Sequence, residues 1–133
     1  MADIVRIDLG SSVPAYRQVV DSLRAMLVAG KLRPGQRLPP VRQLAADLTI
    51  HHNTVAEAYR ILAQEGWLEL KRGRGAMVLS RPAPAPEPVD EERFARRVTE
   101  LAAEAIAAGT ERQRVALVLQ AIARGLADCR SEQ

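Results

Sequence analysis

A chain of 133 residues with 47% hydrophobic and 26% charged side chains fits one small globular domain plus an appendage, and excludes disordered or collagen-like classes. Aromatic residues make up only 3%, so a core must be built from Leu, Val, Ile and Ala, which favours helices and argues against an all-β fold. The formal charge is +3, but residues 1–80 hold 11 Lys+Arg against 7 Asp+Glu while residues 81–133 hold 8 against 9, so the basic excess sits where a polyanion would be met. The single cysteine, Cys129, permits no internal disulfide and no multi-cysteine metal site, and reads as a passive thiol. No basic-then-apolar leader opens the chain and no apolar run approaches the ~20 residues of a membrane span, so a cytoplasmic protein without a membrane partner is expected.

In chain order, Tyr16, Val19, Val20, Leu23, Met26 and Leu27 recur at three-and-four spacing between Pro14 and Gly30, which predicts one amphipathic helix. The Pro34-Gly35 turn and Pro39 make the next stretch a connector, with a short strand at Arg37-Leu38. A second helix runs from Pro40, in its first turn, through Val41, Leu44, Ala45 and Leu48. After Thr49-Ile50-His51 a third helix starts at His52 or Asn53, carries Val55, Ala58, Tyr59 and Leu62, and ends at Gly66. Trp67 to Lys71 alternates like a half-buried strand, Gly73-Arg74-Gly75 turns the chain, and Ala76 to Leu79 returns as a second strand. Tyr16, Tyr59 and Trp67 are expected in the core or at a domain interface.

Arg81 to Pro88 places proline at alternate positions, so neither helix nor sheet runs through it; eight polyproline-II residues would hold their ends ~25 Å apart. The expected organisation is therefore residues 1–80 as one domain, 81–88 as a linker and 89–133 as a helical pair. In that pair Phe94, Val98, Leu101, Ala105 and Ala108 form one stripe, and Val115, Val118, Leu119, Ile122 and Leu126 form another. Thr110 to Gln113 has the pattern of a capping box between them. About 40 residues of helical hairpin lie near the limit for independent folding, so these stripes are expected to pack on a second copy.

Two short helices joined by a few residues, followed by a hairpin with a basic tip, outline a winged helix-turn-helix, a mainly α (α+β) fold. A helix that enters the major groove needs a polar, exposed first turn and an apolar opposite face. His51, His52, Asn53 and Thr54 supply donors and acceptors at that turn, and free amides there attract phosphate. Lys71, Arg72 and Arg74 set three cations around Gly73 and Gly75, which lets the backbone approach phosphates or the minor groove. Adjacent His51 and His52 are expected to point in different directions and to make a poor metal pair. No nucleophile–base pair, paired carboxylates or phosphate loop occurs, so neither an enzyme nor a cofactor is expected.

The segments Pro14 to Gln18, Gly30 to Pro39, Val41 to Ala45, Asn53 to Val55, Ala58-Tyr59, Glu65-Gly66 and Arg72 to Gly75 closely resemble the winged-helix domain of GntR-family bacterial transcription regulators over residues 12–79. The Asn-Thr-Val and Ala-Tyr variants, with a short two-helix tail, are similar to the YtrA-type subgroup, whose tail dimerises the protein. The resemblance implies DNA contacts at Arg42, at His51, His52, Asn53 and Thr54, and at Arg72, Gly73 and Arg74. It also implies a homodimeric repressor on an inverted-repeat operator of double-stranded DNA; about 45 residues after the linker cannot hold a separate effector domain, so an unknown small-molecule effector would bind in the dimer stem or at its junction with the first domain. Pro40 stands where most members have Ser, and His51-His52 where many have Ser-Arg or Asn-Pro, so a bidentate arginine-to-guanine contact is absent there. The alternatives are a winged-helix protein-interaction adaptor and a nonspecific DNA binder, for which a net +4 on residues 1–80 is modest.

Overall fold

A computed structural model describes residues 5–72, 75–80 and 90–128. Contacts divide the chain into two compact units, Met1–Arg81 and Pro82–Gln133. The proline-rich stretch at 81–88, the wing residues Gly73 and Arg74, and Cys129 lie outside the described residues.

The first unit runs α1 (Ala15–Val28), β1 (Arg37–Leu38), α2 (Val41–Leu48), α3 (His52–Gln64), β2 (Leu68–Lys71) and β3 (Gly75–Val78). The expected periodicity of α1 is met: Val19, Val20, Leu23, Met26 and Leu27 are its buried residues. They meet Leu44 and Ala45 from α2 and Val55, Ala58, Tyr59 and Leu62 from α3 in one core, closed by Leu38, Leu68, Ala76 and Val78 from the sheet. Burying each such side chain is worth about 1.5–3 kcal/mol, and this is what fixes three short helices that would not persist alone. Of the aromatic residues, Tyr59 is 1% exposed, Trp67 packs half-buried against the core, and Tyr16 is half-buried at the start of α1.

The sheet order is β1-β3-β2, all antiparallel, with Leu38 opposite Ala76 and Leu68 opposite Val78. The central strand β3 thus ties the connector before α2 to the wing. Both wing strands are shifted from their sequence-based limits. Trp67 falls outside β2 because its amide bonds Leu62 O at 3.0 Å, closing the end of α3, and β3 starts at Gly75 rather than Ala76.

Helices α1 and α3 end in glycines with positive φ, Gly30 and Gly66. In each, the residue after the glycine bonds back across the last turn: Lys31 N–H to Met26 O at 2.9 Å, and Trp67 N–H to Leu62 O. Helix α2 ends in the same way, with Ile50 N–H to Ala45 O at 3.0 Å, but Thr49 occupies the left-handed position at φ 57°. A β-branched residue there is strained.

In the second unit α4 (Glu91–Ala107) pairs with α5 (Arg112–Asp128). Asp90 caps α4 by accepting from Arg93 N–H at 3.1 Å. The capping box expected at Thr110 to Gln113 is not formed: α5 starts at Arg112 with Val115 N–H on Glu111 O. Thr110 is occupied at the end of α4, where its amide bonds Ala105 O at 3.0 Å next to Gly109 at φ 109°. Val98, Ala102, Ala105, Ile106 and Val115 are half-buried. Phe94, Leu101, Val118, Leu119, Ile122 and Leu126 remain exposed, Leu101 by 64%.

Candidate nucleic-acid interface

Helix α3 is fixed before any partner arrives. Its apolar side, Val55, Ala58, Tyr59 and Leu62, is essentially fully buried, so its polar first turn is presented by a rigid element. Two polar contacts pin its middle and its C-terminal end. The Tyr59 hydroxyl donates to Pro39 O at 2.7 Å, linking the middle of α3 to the connector that precedes α2. Burial holds this phenol well above its ordinary ionisation range, so it stays a neutral donor. At the far end Arg24 of α1 grips Glu65 in a bidentate pair, Nε to Oε1 at 3.0 Å and a terminal nitrogen to Oε2 at 2.6 Å. The hydrogen bond to Glu65 is also what holds the Arg24 guanidinium above its ordinary value.

At the start of α3 the structure assigns His51 a role that the sequence did not disclose. Its Nδ1 accepts the Asn53 amide at 3.1 Å, making it the N-cap of the helix. The expectation that His51 and His52 point apart is corrected: their rings stack, with centroids 4.4 Å apart and planes 27° from parallel. The N-cap leaves its extended backbone, at ψ 141°, for the helix, and that bend brings neighbouring side chains together. His51 and Asn53 are exposed, and His52 and Thr54 are half-buried.

Helix α2 starts at Val41, so Pro40 is its N-cap rather than a residue of its first turn, and its apolar ring makes no capping hydrogen bond; Arg42 is exposed on the first turn. The wing strands bring Lys71 and Arg72 toward the same place. Together they border a cleft of about 580 Å³ lined by Arg42, Ala56, Tyr59, Leu70, Lys71 and Arg72 among others. His52 and Asn53 lie one helical turn before Ala56 and share its face of α3. The cleft therefore joins the first turn of α2 to the root of the wing across Ala56 and Tyr59 of α3, while His51, His52, Asn53 and Thr54 are not among its lining residues. Gly73 and Arg74, expected at the wing tip, lie outside the described residues.

Leu70 lines the cleft without being among the expected contact residues, whereas Lys71 is one of the expected wing cations. Leu70 lies beyond the core although it alternates with buried Leu68, and it is 48% exposed as an apolar wall. Lys71 also lines the cleft while its ammonium pairs with Glu69 at 3.4 Å, so it is a partly neutralised cation, an i, i+2 pairing that strand alternation places on one face. A smaller cavity of about 90 Å³ beside Arg37, Lys71, Ala76 and Met77 lies at the sheet. Among the described residues no cluster of three or more His, Cys, Asp or Glu is placed to hold a metal ion, and no helix is long and apolar enough to cross a membrane.

Comparison with known proteins places this geometry. The family described as bacterial regulatory proteins, gntR family, matches residues 15–78, from the start of α1 to the end of β3. The HTH-type transcriptional repressor YtrA of Bacillus subtilis is 39% identical over 75 residues, covering 56% of this chain and 58% of that protein. The probable rhizopine catabolism regulatory protein MocR of Rhizobium meliloti is 42% identical over 79 residues, 59% of this chain but 16% of its own length. The chain thus matches less than two thirds of either curated relative. Among solved structures, YtrA from Sulfolobus acidocaldarius, a GntR-family transcription factor, is 31% identical with a TM-score of 0.56, and the match covers 75% of this chain and 98% of that one. Winged-helix core, basic cleft and near-complete coverage of that factor agree, and the chain belongs to the GntR family of bacterial regulatory proteins.

Proposed function

We propose that this protein is a sequence-specific DNA-binding transcription regulator, acting as a repressor. The observation that carries the reading is that Arg42 of α2 and Lys71 and Arg72 at the wing root border one cleft beside α3, whose buried side holds its polar first turn rigid. In this arrangement α3 enters the major groove, His51, His52, Asn53 and Thr54 meet base edges or nearby phosphates, and Arg42 meets phosphate. Arg72, Gly73 and Arg74 follow the backbone or the adjacent minor groove. The repressor assignment draws on the relatives named as repressors, YtrA of Bacillus subtilis among them.

The domain limits support this division of labour: residues 1–80 bind DNA, 81–88 link, and 89–133 dimerise. The exposed stripe of Phe94, Leu101, Val118, Leu119, Ile122 and Leu126, with Val98, Ala105 and Val115 beneath it, is covered by the same stripe of a second copy. A two-fold dimer then reads an inverted repeat whose half-site centres lie about one helical turn, ~34 Å, or slightly more apart. An unidentified small-molecule effector is a further partner in this reading.

Selection of bound duplexes from a random pool at near-physiological salt tests the reading. Recovery of an inverted repeat is the expected result. In titrations on the recovered operator, Arg74→Ala weakens binding to every sequence and lowers the salt slope by about one, whereas changes at Asn53 alter which sequences are preferred. Recovery of no motif would favour an adaptor that docks its helical pair on another protein.

A further inference from the structure

Resting on the DNA-binding reading above, the geometry points to His51 as a donor-only reader of guanine at one position of each half-site. The side chain does two things at once. Its Nδ1 is committed as the acceptor of the Asn53 amide at 3.1 Å. A neutral imidazole carries one proton, and a nitrogen that accepts a hydrogen bond does not hold it, so the proton sits on Nε2. That nitrogen is the distal one of an exposed residue. What His51 offers outward is therefore a single N–H and no acceptor. The ring that carries it is held twice, by the cap bond and by stacking on His52.

A fixed lone donor discriminates among base edges. Guanine presents two adjacent acceptors in the major groove, N7 and O6, and satisfies the N–H over a range of positions. Adenine flanks its N7 with an amino donor, thymine offers one oxygen beside a methyl group, and cytosine presents a donor that repels the N–H. His52 is the contrast. Among the described residues no hydrogen bond fixes its ring nitrogens, so it takes either tautomer and suits either kind of edge. One donor is a weaker reader than a bidentate arginine, and the preference for guanine at this position is expected to be roughly fivefold.

The test uses the full chain and His51→Ser, because serine keeps an N-cap acceptor for Asn53 but is too short to reach a base. Duplex selection is run with both proteins, and thermal melting confirms that the cap survives. The expected result is one position per half-site where guanine leads for the parent and evens out for the variant, with the remaining positions and the melting midpoint unchanged. The same motif from both proteins overturns the contact. So does a uniform loss of affinity with no positional change, which is the signature of a phosphate contact. If the parent protein itself recovers no motif, the DNA-binding reading falls and this contact with it.

Discussion

Gly75 has two reasons to be glycine, and neither concerns DNA. Its φ of 78° disfavours any side chain, and an added Cβ would sit 2.8 Å from Leu38 O and 3.3 Å from Pro40 N. Those are backbone atoms of the connector that leads into α2, so the close approach keeps β3 against β1. The residue pattern suggested that the glycines of the wing leave room for phosphate; at position 75 the room is taken by the protein's own chain. Gly35 has a similar φ of 87° but nothing within 4 Å of its added Cβ. Gly75→Ala is accordingly expected to cost about 2 kcal/mol or more, and Gly35→Ala about 1 kcal/mol. Equal costs in denaturant melts would remove the packing argument. Tyr59 makes a second prediction at this scale. Its folded-state ionisation is raised by burial, so its contribution to stability is fully present below about pH 10, the ordinary range of tyrosine, and is lost as pH rises further. Tyr59→Phe should flatten this alkaline loss, while at neutral pH it costs about 1 kcal/mol because Pro39 O loses its donor.

At the scale of elements, periodicity and punctuation disclose most of the fold. The stripe of α1 between Pro14 and Gly30, the two-residue strand Arg37–Leu38 and the Gly66 stop of α3 are all readable locally, because each depends on residues within a turn or two. What is not readable depends on competition or on distance. Thr110 fits a capping pattern, yet the preceding helix takes its amide first. Ala102 and Ile106 pack between α4 and α5 beside the expected Val98 and Ala105, because an alanine-rich helix shows too broad a small-residue face to single out one seam. The candidate site follows the same division. Its polar residues are visible in the chain, whereas the cap made by His51, its stacking on His52 and the wall formed by Leu70 arise only on folding. The turn between α2 and α3 offers a direct check on element-scale strain. Thr49 sits at φ 57° where α1 and α3 have glycine, and asparagine tolerates that conformation better. Thr49→Asn should raise the free energy of unfolding by up to about 1 kcal/mol, with no change in circular dichroism. A loss of stability would show that the threonine methyl contributes packing that outweighs its backbone strain.

For the whole molecule, the proposed dimer requires that something join two DNA-binding heads. A single winged-helix unit reads only one half-site, and a short helix pair that leaves Phe94 63%, Leu101 64% and Ile122 54% exposed has too little interior of its own. Both deficits are met if the helical pairs of two chains cover one another, since linking two half-site contacts converts the second into an intramolecular event worth 10²–10⁴ in apparent affinity. Ile122→Glu places a charge in the middle of the exposed stripe without touching the half-buried seam of Val98, Ala102 and Val115. The variant is expected to sediment as a monomer with unchanged helix content, and to bind the operator about 100-fold more weakly. It should also bind with roughly half the dependence on salt, because one head replaces two and half the phosphate contacts are lost. The salt slope is the more telling readout: misfolding lowers the active fraction but leaves the slope of the remaining protein intact, whereas loss of one head halves it. A variant that sediments as the parent does would remove the helical pair from the dimer interface and leave its apolar stripe for a different protein.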